Sequence, residues 1–229
     1  MAASPPPRPP RVAFLHGTAG NASILQIQLG PLLSRLRAHA CHFIEGRAAV
    51  ADDSPIGATM RRHFGAGQQL LEYARAAFDE RDWRIYPDLD DALAYVEREL
   101  AALPGGGADV LVGFSQGANL ISCVAALLER KGTPLRCVVL LSPHRPGWAR
   151  QRPELFSSPL STPAIIAWCP EDTMISGGPE ETAKLWAPGC AKLCPHSGPL
   201  HRPLPANNEE RAALLDDVLQ LISQECARL

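Results

Sequence analysis

A chain of 229 residues has the length of one domain with room for an insertion. Hydrophobic residues at 46%, charged residues at 20% and a formal net charge of −2 exclude a disordered chain and offer no basic surface for nucleic acid or an anionic membrane. No apolar run approaches the length of a membrane span.

Seven cysteines, an odd number without paired spacing, read as free thiols of a reducing, cytoplasmic setting. Cys190 and Cys194 fall on one face of an expected strand and are not read as metal ligands, so no metal is expected. Residues 1–10 are proline-rich and lack the apolar stretch of a secretory signal. They are expected to form a disordered or extended lead-in, with a single domain over 11–229.

Arg11 to Leu15 reads as a first buried strand, ending at His16-Gly17. Ile24 to His39 carries a helical apolar stripe that must bend or restart at Gly30-Pro31. Cys41 to Glu45 is the second strand. The stretch 46–87 is too long for a connector and carries its own aromatics, so it is expected to be a lid or pocket wall. Within it, Gly46 to Thr59 reads as polar and turn-rich, and Gln68 to Phe78 as a helix. Asp88 to Leu103 is a further helix. Strands are expected at Arg136–Leu141, Pro163–Trp168 and Cys190–Cys194, a short helix at Pro179–Trp186 and a last helix over Asn207–Leu229. Asn207 and Glu210 are spaced as a capping box. Strands alternating with helices imply a mainly parallel sheet covered on both faces, with its site at the carboxyl ends of the strands.

The chemistry concentrates at Val110–Leu128. An apolar strand runs into Gly113-Phe114-Ser115-Gln116-Gly117 and out into a helix with apolar residues at Leu120, Ile121, Val124, Leu127 and Leu128. A G-x-S-x-G turn between strand and helix is a nucleophile elbow. It presents the Ser115 hydroxyl, with two glycines where strand and helix pass closely. The amide of Gln116 at the helix start, and that of Thr18 after His16-Gly17, are candidates for binding a developing oxyanion. A serine hydroxyl needs a base, and the base needs an orienting acid. Asp172, past the fifth strand, is the expected acid, with Glu171 as rival. His201 is the expected base, with His196 and His144 as rivals. His16, Phe64, Trp83, Tyr86 and His144 are candidate pocket residues.

The segments FLHGTAGN, RDWRIYPDLDDALAYV, GFSQGANL, PEDTMI and HSGPLHRPLP together resemble the FSH family of serine hydrolases, within the α/β-hydrolase superfamily, from about Arg11 to Pro205. The chain departs from the family's pattern at Tyr86–Leu93. It departs again before His201, where Gly198-Pro199-Leu200 stands in place of a Gly-Gly pair. The elbow is also similar to those of acyl-protein thioesterases and carboxylesterases. The resemblance implies an α/β-hydrolase fold with strand order 2-1-3-4-5-6. It also implies cleavage of a small-molecule ester or thioester through an acyl-enzyme, without metal or organic cofactor. The alternatives are an acyltransferase and a catalytically silent binding protein on the same fold.

Overall fold

The apolar runs of the sequence assemble into one parallel sheet. The structure, a computed structural model, describes residues 8–198 and 201–227. In chain order it forms β1 (Arg11–Leu15), α1 (Ala22–Gln28), α2 (Gly30–Arg35), β2 (Ala40–Ile44), β3 (Ala48–Ala49), α3 (Pro55–Phe64), β4 (Leu71–Glu72), β5 (Ala77–Phe78) and β6 (Arg84–Ile85). There follow α4 (Leu89–Ala102), β7 (Val110–Phe114), α5 (Gln116–Arg130), β8 (Cys137–Leu141), α6 (Gly147–Gln151) and β9 (Ala164–Trp168). A 3-10 turn (Thr173–Ile175), α7 (Gly178–Ala183), β10 (Ala191–Pro195) and α8 (Asn208–Cys226) complete it. The main sheet has the order β10-β9-β8-β7-β1-β2, with every neighbouring pair parallel. This is the expected order read from the other edge.

Alternation along the strands divides the core in two, because successive side chains point to opposite faces. Ala13, Leu15, Leu111, Val138, Leu140 and Ile166 face α4 and α5. Val12, Phe14, Val110, Val112, Val139 and Ile165 face α1, α2 and α8. The carboxyl ends of the strands therefore share one rim, and the loops leaving them meet above it.

The first helical stretch is broken at Leu29, with Gly30-Pro31 opening α2, as the proline requires. The described end of the lead-in is tied to the domain: Arg8 and Arg11 both pair with Asp109, which their cations hold well below the usual carboxylate range. Residues 1–7, Pro199 and Leu200 of the histidine loop, and the last two residues of the expected final helix lie outside the described residues.

Two expectations within 46–87 are corrected. The polar stretch contains α3, whose N-terminus is capped by Ser54 Oγ accepting the Gly57 N–H, with Pro55 in the first turn. The expected helix over Gln68–Phe78 is instead two short strands. Its backbone groups are used elsewhere. The Tyr73 N–H donates to Gln116 Oε1 at 2.7 Å, and the Ala74 carbonyl accepts from Gln116 Nε2 at 2.7 Å. A third expectation is half met. Asn207 caps α8 through Oδ1, but Glu210 Oε2 accepts from the backbone and hydroxyl of Ser197 rather than closing the box.

Candidate active site

Ser115 stands between β7 and α5 with φ 54° and ψ −115°, a conformation that costs a side-chain-bearing residue about 1–3 kcal/mol. Three backbone hydrogen bonds hold it: Ser115 N–H to the Leu141 carbonyl at 2.8 Å, Asn119 N–H to the Ser115 carbonyl at 3.1 Å, and Gly117 N–H to the His16 carbonyl at 3.1 Å. The flanking glycines are required by space. A Cβ on Gly113 would lie 2.6 Å from the Gly117 carbonyl carbon, and one on Gly117 would lie 2.3 Å from the Leu15 carbonyl oxygen. Strand, helix and the loop after β1 thus converge on this serine.

Asp172 follows β9 and begins the 3-10 turn, its Oδ1 accepting the Met174 N–H at 3.0 Å. Its Oδ2 lies 2.6 Å from His201 Nδ1. Because the carboxylate accepts, Nδ1 carries the proton and Nε2 offers a lone pair. That Nε2 is buried and has no hydrogen-bond partner among the described residues. The His201 ring packs on Phe114, the neighbour of Ser115, at 4.8 Å between centroids.

The loop carrying His201 is anchored on both sides. Ser197 is held by Glu210, the Gly198 carbonyl accepts from Cys169 Sγ, and the Arg202 carbonyl accepts from Ser142 Oγ at 3.2 Å. The rivals are placed differently. Glu171 is exposed, and its carboxylate shares the single Cys169 S–H with the Gly198 carbonyl, its Oε2 at 2.9 Å from Sγ. His196 extends the sheet edge, donating its N–H to the Trp168 carbonyl, and its ring nitrogen Nδ1 meets the Ser197 carbonyl. Burial pushes the His196 pKa down.

Thr18 lies on the loop after β1 and lines the same cavity as Ser115 and His201. Gln116 opens α5, so its amide has no partner within the helix. Among the described residues neither amide donates to another backbone group.

That cavity has a volume of about 710 Å³. One wall is a face of α3: Ile56, Met60, His63 and Phe64 recur at helical spacing. Ile27, Met174 and Leu204 add apolar surface, and Ile27 and Met174 stay largely exposed at 68% and 48%. Arg202 and Arg211 also line it.

Of the candidate pocket residues, Phe64 is on this wall and the other four are not. His16 is buried beneath the loop after β1. Its Nδ1 meets the Gly17 carbonyl at 2.7 Å and its Nε2 accepts the Gly46 N–H at 2.9 Å, so it carries no positive charge. Burial brings its pKa down to about 4. Trp83 lies under the Arg150 guanidinium, 4.3 Å from its ring centroid. Tyr86 is buried, with its hydroxyl accepting from Asn119 Nδ2 at 2.7 Å. His144 is buried 5.8 Å from the His201 ring and lines a separate, smaller cavity. Asn119 and Ser142, which position these groups, carry no distinguishing mark in the sequence. The α3 face does, as an apolar stripe behind a Ser-Pro cap.

Three solved structures resemble this fold. Esterase PE8 superposes with a TM-score of 0.66 at 18% identity, over 94% of this chain and 93% of that one. Zea mays acyl-protein thioesterase 2 gives 0.64 at 16% identity, over 96% and 97%. Mouse alpha/beta hydrolase domain-containing protein 10 gives 0.61 at 13% identity, over 94% and 90%. At such identities the likeness shows an α/β-hydrolase fold. No curated protein matches the chain in sequence. The family described as Serine hydrolase (FSH1) matches residues 4–204, most of the chain and every strand-end loop described above. The chain therefore belongs to the FSH1 family of serine hydrolases.

Proposed function

We propose that the protein cleaves carboxylic esters or thioesters by two-step acyl transfer, with Ser115 as nucleophile, His201 as general base and Asp172 as the group that orients it. The observation that carries this reading is the 2.6 Å contact between His201 Nδ1 and Asp172 Oδ2, on a loop that brings the ring against Phe114 beside Ser115. No hydrogen bond joins Ser115 to His201 among the described residues, and in many catalytic sites that contact tightens when substrate binds.

In the first step Ser115 Oγ bonds to the substrate carbonyl carbon and its proton passes to His201 Nε2. The amides of Thr18 and Gln116 stabilise the oxyanion, and the imidazolium so formed is stabilised by Asp172. Collapse breaks the C–O or C–S bond, and the proton moves from Nε2 to the departing oxygen or sulfur. Water, giving its proton to the same nitrogen, then releases the acid and restores the serine. The cavity beside Ser115 falls within the usual size of small-molecule sites and suits an apolar acyl group.

The reading is tested with 4-nitrophenyl esters of increasing chain length on wild type and Ser115→Ala. Hydrolysis that disappears in the variant supports it. Hydrolysis that survives in the variant refutes it.

A further inference from the structure

We infer that the small polar cavity on the other side of Met174 is a subsite for an anionic group, a carboxylate or phosphate, carried by the leaving group of the substrate. The inference rests on the ester or thioester reading above. The cavity has a volume of about 100 Å³, room for roughly three waters at ~30 Å³ each, which suits one small anion and not a chain. Arg84, Arg145, His144, Asp82 and Ser176 line it, and Met174 is shared with the large cavity.

The charges of this cavity are unbalanced. Nearby arginines are matched: Arg47 to Asp88, Arg150 to Asp79, and Arg152 to Asp90 and Glu154. Arg84 and Arg145 form no ion pair among the described residues. The Arg84 Nε is buried without a hydrogen-bond partner, and its guanidinium lies over the Phe78 ring at 4.2 Å. Burial lowers the Arg84 pKa, and the charge of Asp82 offsets that only in part, the mark of a cation taken from water with too little negative charge beside it. Among the described residues Asp82 is the one carboxylate lining the cavity, and it is exposed. Two guanidinium groups against one exposed carboxylate leave net positive charge. Planar guanidinium groups match carboxylates and phosphates.

His144 adds a donor. Asn119 Oδ1 accepts the His144 N–H at 3.0 Å, which fixes the amide so that Nδ2 faces His144 Nδ1 at 3.2 Å. Nδ1 is then the acceptor and Nε2 bears the proton. The cavity also lies where a leaving group would depart. The His144 ring is 5.8 Å from that of His201, the group that protonates the departing atom, while the acyl group occupies the opposite side of Met174.

The test compares 4-nitrophenyl hexanoate with 3-carboxy-4-nitrophenyl hexanoate, each kcat/KM corrected for the ester's rate in hydroxide. Wild type is expected to favour the carboxylated ester by about tenfold or more, the worth of a charge-assisted hydrogen bond. The ratio should fall towards one in Arg145→Gln and in Arg84→Gln, and recover in part in Arg145→Lys. Because the ratio is internal to each variant, general damage cancels. A wild-type ratio of one or less overturns the inference, as does a ratio unchanged in both variants. So does a ratio lost only in Arg202→Gln, whose Nε is also unpartnered but lines the large cavity. If neither ester is turned over, the hydrolase reading fails by itself, and the subsite is read by calorimetry of Ser115→Ala with phenyl phosphate and with benzoate. Binding of either that is lost on adding Arg145→Gln supports the subsite. Binding of neither overturns it.

Discussion

Gln116 and Tyr73 are joined across 43 residues of chain: the buried side-chain Oε1 of Gln116 accepts the Tyr73 N–H at 2.7 Å, while its Nε2 donates to the Ala74 carbonyl. The residue after the elbow serine therefore holds the inserted stretch against the sheet with its side chain and leaves its backbone amide free. Tyr73 passes the restraint on, its hydroxyl donating to the Ile44 carbonyl and accepting the His16 N–H. Gln116→Leu would leave a buried N–H and a buried carbonyl unpaired, at about 1–3 kcal/mol each. Urea unfolding should show a loss of about 2–6 kcal/mol, with fluorophosphonate labelling of the folded fraction retained. A loss under about 0.5 kcal/mol would contradict the pinning role.

The acid assignment makes a paired prediction. Asp172→Asn should lower kcat/KM by about 10⁴-fold, as neutralising the acid does in related triads. Glu171→Gln should change it less than about threefold, because that carboxylate is exposed and engaged by Cys169. Steady-state kinetics on both variants decide the matter. A larger defect in Glu171→Gln would move the acid by one residue.

The α3 wall predicts selectivity. Met60→Trp should fill part of the large cavity and shift the preferred acyl length downward in an ester panel, with little change in the rate of fluorophosphonate labelling. An unaltered chain-length profile would mean that the acyl group lies elsewhere.

Buried neutral histidines predict how stability depends on pH. His16 is held neutral, with its pKa lowered from 6.5 to about 4 by burial. Above about pH 6.5 neither the folded nor the unfolded chain protonates it. Between about 6.5 and 4 the unfolded chain takes up a proton that the folded chain excludes, so stability falls as pH falls, by about 1.4 kcal/mol per unit. From pH 7 to pH 5 the loss from His16 is about 2 kcal/mol. His144, lowered first by burial and then by Arg84 and His201, acts in the same direction. Asp109 adds nothing in this window, since its unfolded carboxyl titrates lower. Urea midpoints at the two pH values should differ less in His16→Asn than in wild type. Equal differences would contradict the account.

The sheet was legible in the sequence because buried parallel strands are written as apolar runs, and RVAFL, VLVGF, CVVLL and AIIAW need no partner to be recognised. The turn at Ser115 was legible because G-x-S-x-G records a steric need, visible here in the contacts that any Cβ on Gly113 or Gly117 would make. The inserted stretch was misread at Gln68–Phe78 because its conformation is set by Gln116, a tertiary partner with no local trace. An aromatic side chain in the inserted stretch marks burial as readily as binding. Trp83 and Tyr86 pack against Arg150 and Asn119, while the cavity wall is built from the face of α3 that carries Ile56, Met60, His63 and Phe64.

Activation of Ser115 by His201 is read out by peptide mass spectrometry after brief fluorophosphonate treatment. A single adduct is expected, on the peptide containing Ser115, absent in Ser115→Ala, slowed by orders of magnitude in His201→Ala and nearly unchanged in His196→Ala. An adduct on another residue, or labelling that survives His201→Ala and is lost in His196→Ala, would contradict it.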